Sequence, residues 1–551
     1  MEQRLLNNVN EIKGNIVDIH ERRIFPVSMI LKGQYIQSIT EISETQSQYI
    51  LPGFVDAHVH IESSMIIPTE FARLCIPHGT IATVSDPHEI ANVLGMDGIH
   101  FMLDNASQSP LTIMFGAPSC VPATSFETAG SIITPEDIQT LLSSSHIGYL
   151  SEMMNYPGVI YNDPLVMEKI AIAHSMNKPI DGHAPGLRGE NLQKYSKAGI
   201  STDHECFSLD EALEKISYGM KILIREGSAA KNYEALHSLI HSNPNSCMFC
   251  SDDKHPNDLV IGHINEVVAK SIRLGYDIFD VLRIAHLNPK EHYGIPIGSL
   301  QVGDSADFII CDDLQQFIPK EVYIKGNKVA ENGTSLFAIP TLSTNTLSPC
   351  SAEYLSIEDL SIPAITDVVR VIECIPGELT THSGSASLNP KKGALYSDID
   401  QDILKIVIIN RYEKSTPALA FVKGIGLTGG AIASTIAHDS HNIICIGVDD
   451  FSMCNAINSL IECKGGISYS FEDEVEVLPL NIAGLMSTAN GYEIAKRYEQ
   501  IDRMARNAGS DIHAPFMTLS FLGLLVIPSL KLSDKGLFDG NAFEFTSLYI
   551  H

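Results

Sequence analysis

The sequence predicts an α/β protein whose central unit is a (β/α)8 barrel of the TIM type, with a small β-sandwich built from both flanks of the barrel and a C-terminal α/β domain. Eight apolar runs rich in β-branched residues recur about 20 to 35 residues apart, with helical stretches between them. One strand and one helix of such a barrel have about this combined length. Most of the runs end in His, Asp or Glu. Functional side chains of these barrels gather at the C-terminal ends of the strands, so spacing and end residues favour the same fold.

The composition is ordinary for a globular protein. The chain has 551 residues, 44% of them hydrophobic and 19% charged, and no apolar stretch approaches the roughly 20 residues of a membrane helix. The first 20 residues lack the features of a secretory signal, and the eleven cysteines show no disulfide-like spacing, so we expect a cytoplasmic protein. The net charge of −29 disfavours nucleic acid and anionic membranes as partners and favours a small neutral or basic substrate.

Short strand-like segments lie on both sides of the eight repeats. Residues 14–42 and 300–333 alternate apolar and polar positions in short runs broken by turn residues. We therefore assign residues 1–50 and 299–340 to the two halves of one β-sandwich. The Ser/Thr-rich residues 334–350 predict a linker, and residues 351–551 predict a separate α/β domain.

Residues 51–298 hold the eight predicted barrel strands. Their sequences are VDAHVH, GTIATVSDP, LTIMFGAPS, IGYLSEM, KPIDGHA, GISTDHE, MKILIRE and SCMFCSD. An open, doubly wound sheet is the alternative fold. That fold does not explain metal-binding types of residue at so many strand ends, and we therefore prefer the barrel.

Six potential metal ligands end five of these strands. His58 and His60 are two positions apart at the end of strand one, so their side chains point to the same side. The other four follow strands four, five, six and eight: Glu152, His183, His204 and Asp252. Six such ligands are enough to bind two divalent ions with a carboxylate between them. No cysteine occupies these positions, which favours Mn, Fe or Zn.

Two divalent ions of this kind point to a hydrolase. A metal ion lowers the pKa of a bound water from about 15.7 towards about 7, and a second ion stabilises charge that develops on the substrate. Asp252 is the candidate general base. A metal-binding scaffold is the competing hypothesis, although structural sites are normally closed to solvent.

Two further groups of residues are candidates for the same site. Asp86 and Glu89, in SDPHE, either orient the metal ligands or cap the following helix. Arg225, Glu226 and Ser228 follow strand seven, where they either help to position the substrate or form a surface ion pair.

Three other patterns have mainly structural interpretations. Cys247 and Cys250 form a CxxC motif on predicted strand eight, where apolar neighbours indicate core packing. Residues 424–429 match GxGxxG between a strand and a predicted helix (AIASTIA), and we interpret them as a tight turn rather than a dinucleotide site. The cluster His438-Asp439-Ser440-His441 either reaches the barrel mouth or caps a helix, and the sequence slightly favours the cap.

Several motifs resemble those of the adenine deaminase family of the amidohydrolase superfamily, over nearly the whole chain. They are PGFVDAHVHIESSM (52–65), SDPHEIANVLG (85–95), DGHAPGLRG (181–189), STDHECFS (201–208), CSDDKHPNDL (250–259), GLTGGAIASTIAHDSHNI (426–443) and PFMTLSFLGLLVIPSLKL (515–532). The resemblance implies a reaction of purine salvage, the hydrolysis of adenine to hypoxanthine and ammonia by a metal-bridging hydroxide that attacks C6. It also implies a binuclear Mn or Fe centre. By position, one ion would be bound by His58, His60 and Asp252, the other by His183 and His204, with Glu152 between them.

The residue at strand four separates this family from its relatives. Many amidohydrolases bridge their ions with a carbamylated lysine, whereas HIGYLSEMMNY contains no lysine, which disfavours a hydantoinase or dihydroorotase. The remaining alternative is a binuclear amidohydrolase that acts on another aminopurine or a cyclic amide. Analogy with the superfamily also predicts a homo-oligomer, most simply a dimer.

Overall fold

The computed structural model describes residues 9–340, 342, 347–375 and 378–550. Among the helices of these residues, none combines the length and the apolar character needed to cross a lipid bilayer.

The chain begins with four strands that form half of a small sheet. They are β1 (Val9–Asp18), β2 (Arg23–Lys32), β3 (Tyr35–Glu41) and β4 (Tyr49–Pro52). β1, β2 and β3 are antiparallel neighbours, and β4 pairs with β1 in parallel. Val27, Met29 and Leu31 of β2 are buried while their neighbours are partly exposed, which is the pattern of a strand with one face on a core.

Eight parallel strands follow and form a closed ring. They are β5 (Phe54–Val59), β6 (Thr80–Ser85), β7 (Thr112–Ala117), β8 (Ile147–Met153), β9 (Ile180–Gly182), β10 (Thr202–Asp203), β11 (Lys221–Arg225) and β12 (Cys247–Cys250). β5 to β9 pair in chain order, as do β10 to β12. The N–H of Ser201 donates to the carbonyl of Ile180 between β9 and β10, and that of Asp252 donates to the carbonyl of His58 between β12 and β5 (both 2.9 Å). The predicted barrel is confirmed, and the open sheet is excluded.

Helices cover the outer face of the ring. They are α1 (Pro68–Cys75), α2 (His88–Ala106), α3 (Pro135–Leu142), α4 (Tyr156–Ile160), α5 (Pro164–Ser175), α6 (Gly189–Lys197), α7 (Leu209–Ser217), α8 (Tyr233–Leu236), α9 (Leu239–Ser242), α10 (Pro256–Ile261), α11 (Ile264–Arg273), α12 (Ile278–Leu282) and α13 (Asn288–Tyr293). The side chains of Thr134, Asp163 and Ser208 accept backbone N–H bonds at the starts of α3, α5 and α7. Such caps satisfy N–H groups that have no partner within the helix. Because helices lie outside and side chains fill the ring, all residues of β5 are buried.

The second flank completes the small sheet. Its strands are β13 (Phe308–Cys311), β14 (Pro319–Ile324), β15 (Asn327–Glu331) and β16 (Thr334–Ser335). β13 pairs antiparallel with β4, so both flanks share one eight-stranded sheet. The sheet folds back on itself, since the N–H of Ile36 donates to the carbonyl of Asp304 (2.9 Å) and Met29 and Phe308 share one core. Of the predicted linker 334–350, Thr334 and Ser335 form β16, and residues 341 and 343–346 lie outside the described part.

The C-terminal domain, residues 351–550, is rich in sheet. Its elements are β17 (Ile362–Pro363), β18 (Val368–Cys374), β19 (Thr381–Ser387), β20 (Ala394–Leu395), β21 (Ile403–Ile409), β22 (Ala418–Lys423), β23 (Ala431–Ser434), β24 (Ile443–Gly447), α14 (Asp450–Cys463), β25 (Gly466–Phe471), β26 (Glu474–Pro479), α15 (Gly491–Asn507), α16 (Pro515–Phe521), β27 (Leu530–Ser533), β28 (Gly536–Asp539) and β29 (Glu544–Phe545). Eight strands form the main sheet in the order β19-β18-β22-β21-β24-β23-β25-β26, mostly antiparallel.

One prediction in this domain is wrong. The run AIASTIA (431–437) is predicted as a helix, yet Ala431–Ser434 form β23 in the middle of the sheet. All four residues are buried, and a short run buried on every side has no periodicity that separates helix from strand. The preceding glycine turn agrees with its structural interpretation, because the N–H groups of Gly424 and Gly426 donate to the carboxylate of Asp402 (both 2.9 Å).

The C-terminal domain packs directly on the barrel. The N–H of Ser487 donates to the carbonyl of Met65 (2.8 Å), just beyond β5. The carboxylate of Asp534 accepts the N–H of Thr128 (2.9 Å), in the segment after β7. The domain therefore lies over the barrel end where the polar residues of the strands collect.

Candidate metal centre

The six potential ligands converge at the C-terminal end of the barrel. His58 lies in β5 and His60 directly follows it, while Glu152 lies near the end of β8. His183 and His204 directly follow β9 and β10, and Asp252 lies two residues beyond β12. All six are buried, with exposed fractions between 1% and 6%. We call these residues the ligand cluster.

The first half of the ligand cluster joins β5 and β12. The Nε2 atoms of His58 and His60 are 3.2 Å apart, and Oδ1 of Asp252 lies 3.6 Å and 3.3 Å from them. Asp252 has a φ of 53°, in the left-handed region, which Asp tolerates better than most residues. The chain thus turns sharply after β12 at the residue whose carboxylate faces both imidazoles.

Glu152 lies between this half and the second half. Its Oε1 is 3.4 Å from Nε2 of His60. Its Oε2 is 3.0 Å from Nδ1 of His183 and 3.2 Å from Nε2 of His204, and these two ring nitrogens are 3.3 Å apart. The two carboxylate oxygens therefore face different histidines, Oε1 that at position 60 and Oε2 those at positions 183 and 204.

These spacings fit divalent cations. Metal–ligand bonds of about 2.0 to 2.1 Å place neighbouring ligand atoms about 2.9 to 3.4 Å apart in octahedral or tetrahedral geometry. Most donor–donor distances of the ligand cluster lie in this range. Nδ1 of His58 and Nε2 of His183, the ring nitrogens turned away from the cluster, are buried without a hydrogen-bond partner among the described residues. The donors are nitrogen and oxygen atoms only, a set that suits Mn, Fe or Zn.

Arg225 supports Asp252 from behind. The sequence hypotheses for Arg225 were a substrate contact or a surface ion pair, but its side chain is fully buried. Its Nη1 donates to Oδ2 of Asp252 and to Glu205. Burial would raise the pKa of Asp252, but the adjacent guanidinium and the nearby histidine rings together outweigh burial and hold that pKa well below its ordinary value. The structure thus keeps Asp252 ionised, with Oδ1 turned towards the histidines.

Asp86 and Glu89 both reach the ligand cluster through His88. The carboxylate of Asp86 accepts the N–H of His88 (3.1 Å) and lies 3.0 Å from its Nδ1, which is itself 3.4 Å from Oε1 of Glu152. Glu89 lies 3.4 Å from Nε2 of the same ring. Asp86 therefore both bonds the first turn of α2 and orients a side chain at the site.

The cluster His438-Asp439-Ser440-His441 lies at the barrel mouth, so the favoured interpretation as a helix cap is wrong. Nδ1 of His438 is 2.5 Å from Oε1 of Glu89, and Nε2 of His441 contacts Oε2 of the same carboxylate. These residues lie in the loop between β23 and β24, which packs on α2. Local sequence could not show this, because the contact joins residues about 350 positions apart.

Glu226 and Ser228 are not brought to the ligand cluster. Glu226 lies 3.2 Å from Lys270, a partly exposed ion pair, and Oγ of Ser228 donates to Asp258 (2.6 Å). Successive strand residues face opposite sides, so the inward position of Arg225 turns Glu226 outwards. The hypothesis that these two residues position the substrate is not supported by their contacts.

A narrow cavity opens onto the ligand cluster. Its barrel side includes His60, Glu152 and Asp252. The opposite side is formed mainly by the C-terminal domain, by Leu379, His438, Asp439, Phe521 and Leu524. The three apolar side chains among these, together with Met154 of the barrel, form an apolar wall. The cavity thus combines a polar floor with an apolar wall, as ligand sites commonly do.

Several residues of this site are not among those that the sequence predicts. His88 is one, although it stands between the two acids of SDPHE that were considered. Glu205 is another, which follows His204 and binds Arg225. Both are next to predicted site residues, and that adjacency was the available signal. Asp253 also lines the cavity and accepts a hydrogen bond from Ser63.

Comparison with known proteins gives similarity over the whole length. Residues 49–329 match the amidohydrolase family, and residues 378–544 match the adenine deaminase C-terminal domain. Three relatives carry the name adenine deaminase. The protein of Sulfurovum sp. is 52% identical over 97% of this chain and 99% of its own. The proteins of Salinibacter ruber and Methanosarcina acetivorans are each 48% identical, over 98% and 97% of this chain and 99% of their own.

Proposed function

The chain belongs to the amidohydrolase family, in its adenine deaminase branch, and from this membership we infer that it hydrolyses adenine to hypoxanthine and ammonia. One observation carries the inference. About half of the residues are identical to those of relatives named adenine deaminase, over nearly the full length of both chains. The presence of Glu152 where other amidohydrolases have a lysine supports the same branch.

The proposed ligands are the six residues of the ligand cluster. His58, His60 and Asp252 would hold one ion, His183 and His204 would hold the other, and Glu152 would contact both. When bound, the two ions supply Lewis acidity that makes a water nucleophilic near neutral pH. The donor spacing of 3.0 to 3.6 Å supports this assignment.

Asp252 is the proposed general base. Because Arg225 keeps its carboxylate ionised, Asp252 can accept the proton released by the water that attacks C6. It can then donate that proton to the amino group, which leaves as ammonia when the C6–N bond breaks. Oδ1 of Asp252 faces the histidines and is the oxygen that would serve both the ion and this transfer, since Oδ2 accepts from Arg225.

The apolar wall would cover the purine. Met154, Leu379, Phe521 and Leu524 present side chains without polar atoms to the cavity. They would exclude bulk water from a planar base that lies over the ligand cluster, and this would strengthen every electrostatic contact inside.

Three further features belong to this proposal. Nitrogen and oxygen donors without thiolate favour Mn or Fe, with Zn as the other possibility. The eleven free cysteines support a reducing compartment, hence the cytoplasm. A homodimer is proposed only by analogy with the superfamily.

Ammonia release from adenine by protein reconstituted with Mn or Fe tests the function. Adenosine, guanine and dihydroorotate are the comparison substrates. We expect turnover of adenine and much slower reaction of the others. Turnover of dihydroorotate without turnover of adenine would instead assign a cyclic-amide hydrolase.

A further inference from the structure

The wall of the cavity that belongs to the C-terminal domain contains one polar ring, His438. Its neighbours in the wall are Leu379, Phe521 and Leu524, and the whole side chain is 3% exposed. A buried polar side chain in an apolar wall costs free energy unless its hydrogen-bonding atoms have partners. The orientation of this ring therefore shows which atom is left for a ligand.

Two contacts fix the ring of His438. Nδ1 is 2.5 Å from Oε1 of Glu89. One face is stacked on Phe521, with ring centroids 4.7 Å apart and planes at 14°. Nε2 is the remaining polar atom, and within the described residues it has no hydrogen-bond partner. The edge of the ring that carries Nε2 is thus the part available to a molecule in the cavity.

The proton positions follow from His441. The backbone N–H of Ala437 donates to Nδ1 of His441 (3.4 Å), so the proton of that ring is on Nε2 and is donated to Oε2 of Glu89. Burial raises the pKa of Glu89, but the neighbouring rings of His438, His441 and His88 lower it well below its ordinary value, so the carboxylate is ionised and its Oε1 accepts from Nδ1–H of His438. Burial lowers the pKa of His438, but the carboxylate of Glu89 raises it, to about 9. At neutral pH the Nε2 atom also carries a proton and is a donor.

We propose that Nε2–H of His438 donates a hydrogen bond to a ring nitrogen of the purine, so that the C-terminal domain supplies a substrate-binding residue to the barrel. The proposal rests on the proposed function, because it takes adenine as the ligand. Adenine suits the donor, since three of its ring nitrogens, N1, N3 and N7, are acceptors along the edges of a flat molecule. Glu89, held by two histidines of the C-terminal domain, positions the donor.

Two matched variants separate substrate binding from support of Glu89. His438→Gln and His441→Gln each remove one contact to Glu89, but only His438 presents an atom to the cavity. We expect His438→Gln to raise KM for adenine about 10- to 100-fold, the effect of losing a hydrogen bond from a charged donor, with a smaller change in kcat. His441→Gln should raise KM less than about threefold. Equal effects of both variants on KM, with metal content and Tm unchanged, would overturn the proposal.

Deaza analogues of adenine identify the contact directly. In 1-deazaadenine, 3-deazaadenine and 7-deazaadenine one ring nitrogen is replaced by C–H, and each is measured as an inhibitor of the wild-type protein and of His438→Gln. We expect one analogue to bind the wild type about 10- to 100-fold more weakly than adenine, and this penalty to vanish in the variant. Penalties that are unchanged in the variant would refute the contact.

Two further outcomes can be distinguished from those of the variant and analogue experiments. If His438→Gln does not fold, the wild-type series alone decides, because equal binding of adenine and all three analogues excludes a hydrogen bond to N1, N3 or N7. If the wild-type protein neither binds nor deaminates adenine, the proposed function fails, and this is seen before any variant is compared.

Discussion

The buried guanidinium of Arg225 donates a hydrogen bond to Oδ2 of Asp252 and leaves Oδ1 facing His58 and His60. The two oxygens of one carboxylate thus have separate partners. Arg225 fixes the rotation of the carboxylate and keeps it ionised, while the other oxygen remains available to the cavity.

The substitution Arg225→Met tests this support. The variant keeps a long apolar side chain but leaves Asp252 and Glu205 without their cation, so we expect kcat for adenine to fall about 10- to 100-fold, as is usual when a group that orients a metal ligand is removed. The measurement is steady-state kinetics together with metal content. Arg503→Met, at an exposed pair with Glu499, is the control and should behave as wild type. Undiminished activity of Arg225→Met would show that Asp252 needs no such partner.

Removal of the metals distinguishes a catalyst from a metal-binding scaffold. We expect protein reconstituted with Mn to hold about two ions per chain, and dialysis against a chelator to abolish adenine turnover, because the ligand cluster is at an open cavity. The barrel has a large apolar core of its own, so most of the far-ultraviolet circular dichroism should persist. Unfolding on chelation would favour the scaffold instead.

His88 provides a test of a residue that the sequence did not single out. Both of its ring nitrogens face carboxylates, Nδ1 that of Asp86 and Nε2 that of Glu89, so we expect it to donate to these carboxylates rather than to bind a metal ion. We expect His88→Asn to lower kcat about 10- to 100-fold while two metal ions remain bound. His100→Asn, at an exposed position of the same helix, is the matched control. Loss of one equivalent of metal in His88→Asn would make His88 a ligand.

Lys531 predicts a pH dependence of stability. Its Nζ donates to the carbonyls of Leu379 (2.7 Å) and Phe521 (2.9 Å), two residues of the cavity wall, and burial lowers its pKa to about 7. Between this value and the ordinary value of about 10.4, the unfolded chain binds a proton that the folded chain does not. Stability therefore rises with pH in this window, by up to about 1.4 kcal/mol per pH unit, and the unfavourable contribution is fully present below about pH 7.

The comparison of wild type with Lys531→Met measures this contribution. The free energy of unfolding of the wild type, minus that of the variant, should increase as the pH is raised from about 7 to 10. Lys535→Met, a nearby lysine that also donates to backbone carbonyls, controls for the loss of a lysine as such. A difference that is constant with pH would show that Lys531 is protonated in the fold.

The barrel and its ligands could be predicted because both depend on local patterns. Buried parallel strands such as β5 and β8 are short apolar runs with β-branched residues, and their regular spacing gives the order of the elements. Polar residues at the ends of such strands have few roles in a core. His58, His60 and Glu152 can therefore be grouped as candidate ligands from the sequence alone.

The remaining parts of the site depend on contacts that no local pattern records. Glu89 meets His438 across the interface of the barrel and the C-terminal domain, and Arg225 is buried only because Glu205 and Asp252 lie on neighbouring strands. The strand β23 was mistaken for a helix because tertiary packing, not periodicity, decides its conformation.

The backbone hydrogen bonds between β12 and β5 determine when the site can form during synthesis of the chain. The N–H of Asp252 donates to His58, and the N–H of His60 donates to Asp252, so the first and last strands of the ring bring their ligands together when they pair. A nascent chain cannot complete the six donors until residue 252 has been translated, and more than half of the polypeptide follows that residue. The contacts of His438 and His441 with Glu89 form later still, after these two histidines have been synthesised.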